Sequence, residues 1–126
     1  MSHVTTIDLK IKDLEALKAA CKRLGFAYHS DVKQYRAYYG YQKCDHCISI
    51  PGANFEVGIQ TQQGKSSLLW DPYYSGGLEA KLGMGAGLLK QAYAAEVTTR
   101  AARRAGYSVY ERQEEGRIAL TIQRRE

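Results

Sequence analysis

The last third of the chain, Leu88 to Arg124, limits the fold most. It reads LLKQAYAAEVTTRAARRAGYSVYERQEEGRIALTIQR. Leu89, Tyr93, Val97, Ala101 and Ala105 recur at i, i+4 spacing, which draws one apolar stripe along a helix from about residue 88 to 105. Arg100, Arg103 and Arg104 fall mainly off that stripe. Gly106 stops the helix. Tyr107 and Val109 then begin a strand, Glu114-Glu115-Gly116 turns it, and Ile118, Leu120 and Ile122 bring it back. A helix with one apolar stripe needs a second layer to cover it, and the rest of the chain must supply that layer.

Upstream, Ile7, Leu9 and Ile11 alternate with Thr6, Asp8 and Lys10, the period-two pattern of a half-buried strand. Asp13 is placed to cap a helix whose apolar positions are Leu14, Leu17, Cys21 and Leu24, with Gly25 as its stop. The aromatic run from Tyr35 to Tyr41 predicts one strand over 34–41. Cys47, Ile48 and Ile50 continue as a short strand, which Pro51-Gly52 turns. Phe55, Val57 and Ile59 alternate again, and residues 62–65 form a turn before a strand over 67–71. Residues 72–87 hold five glycines, Gly76, Gly77, Gly83, Gly85 and Gly87, which predicts a mobile or functional connection.

The expected fold is α+β: a single antiparallel sheet in the order β-α-β-β-β-β-α-β-β, with two helices packed on one face. The 126 residues suit one domain, 1–126. Three cysteines, an odd number, argue against a secreted disulfide framework. No segment has the apolar length of a membrane span, and MSHVTTIDLKIKD lacks a basic flank leading into an apolar run, so the reading is a cytoplasmic protein without a membrane partner. The net charge of +5 permits an anionic partner without requiring one, and its excess lies late, at Arg100, Arg103, Arg104, Arg112, Arg117, Arg124 and Arg125.

Several segments together carry a family resemblance. MSHVTT, LKAACKRLGF, YYGYQ, FEVGIQ before LLWD, and AYAAEV, AGYSV and GRIALTIQR span nearly the whole chain. The chain resembles a domain-of-unknown-function family whose best-known members are the conserved hypothetical frame-thirty-five proteins of chloroplast genomes and cyanobacteria, with bacterial and phage relatives. The resemblance implies a small, cytosolic or stromal, single-domain protein and transfers no catalytic residue. CDHC at 44–47 and the GMGAG loop depart from that family's pattern and mark what is particular to this chain.

Three constellations could carry chemistry. Cys44 and Cys47 have the spacing of half a tetrahedral zinc site, but no second cysteine pair completes it. A redox role would place the first thiol at a helix N-terminus, whereas a strand follows here. Gly83, Gly85 and Gly87 precede a helix, as in an anion-cradling loop, and Arg100 and Arg104 add positive charge to that reading. The sequence lacks both GxGxxG and a Lys-Ser/Thr pair. Tyr35, Arg36, Tyr39 and Tyr41, joined by Trp70, Asp71, Tyr73 and Tyr74, suggest a ligand or partner face, in which aromatic rings supply flat contact area and Arg36 supplies charge. The connection 72–87 would close or gate this face.

No Ser/His/Asp, HExxH or paired-carboxylate signature appears, so catalysis is not expected, nor is a cofactor. The expectation is a small non-catalytic binding module acting on a protein partner. The family's distribution suggests a phage or bacterial accessory protein. One alternative is nucleic-acid or nucleotide binding by the Tyr/Arg face. Another is a zinc- or thiol-dependent protein using CDHC.

Overall fold

The computed structural model describes residues 4–73 and 76–125. The first strand, β1 (Thr5–Ile11), leads into α1 (Leu14–Leu24). Asp13 caps this helix: its carboxylate accepts the Ala16 N–H at 3.0 Å. Gly25 closes it in the left-handed conformation. Six strands follow: β2 (Ala27–His29), β3 (Gln34–Ala37), β4 (Gly40–Lys43), β5 (His46–Ser49), β6 (Val57–Gln62) and β7 (Lys65–Trp70). Then come α2 (Leu78–Leu82), a 3₁₀ turn (Met84–Ala86), α3 (Gly87–Arg104), β8 (Tyr107–Glu114) and β9 (Arg117–Arg124).

The class is α+β, but the strands divide among three sheets. A five-stranded antiparallel sheet has the order β1-β7-β6-β5-β2; β3–β4 and β8–β9 are two-stranded. The segment expected as one strand over 34–41 is a hairpin, with Ala37 paired to Gly40 across Tyr38-Tyr39. The positive φ of this turn falls on Gly40, at 102°, so neither tyrosine is forced into the left-handed region.

Successive strand residues face opposite ways, so the central sheet has two apolar faces. Ile48, Val57, Ile59, Leu68 and Trp70 join Leu17 and Cys21 of α1 and Leu89 and Tyr93 of α3 in one core. Cys47 and Leu69 turn to the other face, where the β3–β4 hairpin lays Tyr35 and Ala37 over them. This is why the tyrosine hairpin is not a sixth strand of the sheet. It is the lid of a second, smaller core.

The connection expected to be mobile is partly a packed element. Leu78 and Leu82 of α2, and Ala86 after it, are fully buried in the main core. The helical stripe shortens in turn. α3 buries Leu89, Ala92, Tyr93 and Ala95, all in its first half, whereas Ala101 and Ala105 are exposed. The Tyr93 hydroxyl accepts the Lys12 and Asp13 backbone N–H groups at 3.1 and 3.3 Å, which fastens α3 to the start of α1. The β8–β9 ribbon lies along α3 from Gln91, whose Nε2 donates to the Gly116 carbonyl at 3.3 Å, and Arg23 ties it back to the body through Glu96 at 2.6 Å and Glu111 at 2.5 Å.

Candidate functional site

The hairpin tip is built on Tyr35. This residue is 1% exposed, and its ring lies against Gly58 of β6. A Cβ at position 58 would stand 2.4 Å from Tyr35 Cδ1, so only glycine leaves room for the ring. Burial pushes the Tyr35 hydroxyl up to about 12, with Cys44 and Asp71 adding to the shift. The residue expected to touch a ligand is therefore the hairpin's anchor.

Asp71 fixes the tip from beneath. It is 1% exposed. One carboxylate oxygen accepts the Tyr38 N–H at 3.2 Å and the other the Tyr73 N–H at 3.0 Å. Each bond satisfies a donor that burial would otherwise leave costly. On the opposite strand side, Arg36 N–H donates to Glu56 Oε1 at 2.9 Å, and Glu56 N–H donates to the Arg36 carbonyl at 2.9 Å. Arg36 is thus held by its backbone while its side chain is exposed.

What projects from this base is aromatic. Tyr38, Tyr39 and Tyr41 are 45%, 58% and 64% exposed. Tyr38 meets Tyr39 edge-on at 4.7 Å, Tyr73 at 5.0 Å and Phe55 at 6.4 Å between centroids. A cavity of about 340 Å³ opens beside them, lined by Arg36, Tyr38, Asn54 and Phe55. The structure brings Arg36, Tyr39, Tyr41 and Tyr73 to this surface and places Asp71 under it. Trp70 does not join them; it is buried on the helix-side face, one residue out of phase with Leu69. Tyr74 lies outside the described residues. Tyr38, which an unbroken strand over 34–41 would turn away from Tyr39, is at the centre of the cluster, with Phe55 and Tyr73 around it. Gly40 was the one sequence signal that could have revealed the turn and with it this arrangement.

The anion-loop set does not assemble. Gly87 begins α3, and Arg100 and Arg104 lie 13 and 17 residues further on, about 20 to 26 Å along the axis. Gly83 and Gly85 serve the chain path between α2 and α3, with φ of 86° and 61°.

Each residue of CDHC has a structural task. Cys44 Sγ donates to the Val32 carbonyl at 3.0 Å, and Asp45 accepts the Thr61 N–H at 2.8 Å. His46 Nδ1 accepts the Asp31 N–H at 3.0 Å, and its ring lies 6.0 Å from that of Tyr28. Cys47 packs beneath the hairpin. Burial raises both thiols, Cys47 to about 11, which keeps them protonated at neutral pH. Among the described residues, no group of three or more His, Cys, Asp or Glu is placed to hold a metal ion.

Compared with protein families, curated proteins and solved structures, the chain matches none. Among the described residues, no helix is long and apolar enough to cross a membrane.

Proposed function

We propose that this chain is a small non-catalytic binding module, cytoplasmic, whose working surface is the tip of the β3–β4 hairpin and whose partner is a protein. One observation carries the reading. Tyr38 and Tyr39 at the turn and Tyr41 in β4 are exposed on a hairpin that is held from behind by Tyr35 on Gly58 and by the Asp71 carboxylate. Tyrosine supplies large contact area at a low cost in side-chain freedom, and a pre-set backbone lowers the ordering cost of association further. Arg36 and the adjoining cavity add a charge and a recess that a partner side chain would fill. The motif resemblance to the domain-of-unknown-function family is consistent with this reading and is part of the proposal.

The test is affinity capture from host lysate with wild-type protein and with Tyr39→Ala/Tyr41→Ala, at low salt and at about 0.5 M salt. The expected result is a defined partner retained by the wild type at both salts and lost from the variant, whose circular dichroism is unchanged. Retention by the variant, or a capture that salt alone abolishes, excludes the tyrosine interface.

A further inference from the structure

The basic residues change type along the chain. No lysine follows Lys90, while arginine stands at 100, 103, 104, 112, 117, 124 and 125. Charge for solubility alone is served equally well by lysine. The change of type, rather than the net charge, points to a partner that the guanidinium recognises.

The fold gathers four of these arginines. α3 ends with Arg103 and Arg104, Gly106 turns the chain, and Tyr107 opens β8. Tyr107 is the register partner of Arg124, and Arg125 follows it. Three chain steps part Arg104 from Tyr107, so their Cα atoms are at most about 11 Å apart. Arg103, Arg104, Arg124 and Arg125 are all exposed, and none forms an ion pair among the described residues.

Among the described residues, the nearby acids are engaged or distant. Glu96 and Glu111 hold Arg23, and Glu114 pairs with Arg112 at 2.5 Å. Glu115 sits in the turn at the opposite end of the ribbon. The negative end of the α3 dipole accounts for cations at 103 and 104. It does not account for the pair that β9 brings alongside them.

We propose that this arginine end of the α3–ribbon unit binds nucleic acid, gripping the phosphate backbone of a duplex. Guanidinium is a planar fork that meets two phosphate oxygens at once and sheds its hydration more readily than an ammonium does. A two-stranded ribbon also has the width that the major groove of a duplex admits. This surface is separate from the tyrosine tip, and the inference does not rest on that reading.

The experiment is fluorescence anisotropy of a labelled duplex of about 24 base pairs and arbitrary sequence, titrated with the protein between about 50 and 200 mM salt. Four phosphate contacts give a slope of log K on log salt near about −3.6, a weakening of roughly 150-fold across that range. Arg103→Gln/Arg104→Gln and Arg124→Gln/Arg125→Gln are each expected to reduce the slope by about 1.8. Tyr39→Ala/Tyr41→Ala is expected to leave it unchanged, so failure here is distinguishable from failure of the tyrosine interface. Absence of duplex binding at the lowest salt overturns the proposal. So does an undiminished slope in both arginine-pair variants with native circular dichroism. Equal binding of a polyglutamate peptide or of phosphatidylserine vesicles, with the same arginine dependence, overturns the assignment to nucleic acid.

Discussion

At Gly58, a single added methyl group would collide with the ring of Tyr35 at 2.4 Å. Gly58→Ala is therefore expected to destabilise the protein by about 1–3 kcal/mol, the range of an overpacked core, as read from the urea midpoint. Placing Tyr35→Ala in the same chain should remove that added cost, because the ring is then gone; strictly additive effects would show that the contact is not the cause. The sequence presents Tyr35 and Tyr41 as equivalent, because period-two counting assumes an unbroken strand. Burial separates them, and burial depends on what lies across the sheet. The thiols give a second expectation. Burial lifts Cys21 from 9.0 to about 12 and Cys47 from 9.0 to about 11, so the unfolded chain loses these protons first. Their contribution is complete below about pH 9 and is lost as pH rises toward 11 and 12, because the folded state then binds more protons than the unfolded one. The urea midpoint should be level below pH 9 and fall above it, with a later onset in Cys21→Ala/Cys47→Ala. An onset unmoved by that variant would assign the fall to other groups.

Among the elements, the ribbon differs most from the rest. None of its sixteen strand positions is buried, whereas β6 and β7 each bury three residues. A two-stranded sheet is marginal in water, so β8–β9 depends on its packing against α3 and on the Arg23 clamp. Amide protons of β8 and β9 are expected to exchange well before those of β6 and β7, and faster again in Arg23→Ala. Equal protection of all four strands would show the ribbon to be part of the main cooperative unit. The elements legible in the sequence are those that carry their own punctuation. α1 has Asp13 before it and Gly25 after it; the hairpin of β8 and β9 has Glu115-Gly116 at its turn. The β3–β4 turn places tyrosines where glycine, asparagine or aspartate usually stand, and only Gly40 betrays it. α2 is five residues between glycines, too short for a period to show.

For the whole molecule, the α+β class followed from local patterns, but the division into three sheets did not. Alternation reveals that Ile59 and Gln60 face opposite ways; it is silent about whether the second face meets water or another hairpin. The candidate site was legible to the same degree: the tyrosine-rich segment was visible, and the separation of Tyr35, Trp70 and Asp71 from the exposed tip required the packing. The ribbon also has a consequence between molecules. Its two strands have no third neighbour among the described residues, so each side offers a row of unmatched backbone groups. With a net charge of +5, repulsion between copies is expected to keep such rows from meeting. At about 1 M salt the screening length falls to about 3 Å. Light scattering by concentrated protein should then rise, and Ile122→Pro, whose N–H points away from β8, should suppress the rise by removing an edge donor; a flat trace from the wild type would show that the edges are shielded in another way. Nucleic acid on the arginine end would act as salt does, cancelling the charge. Unless it also covers the strands, a crowded duplex would become a scaffold on which copies of this chain line up edge to edge.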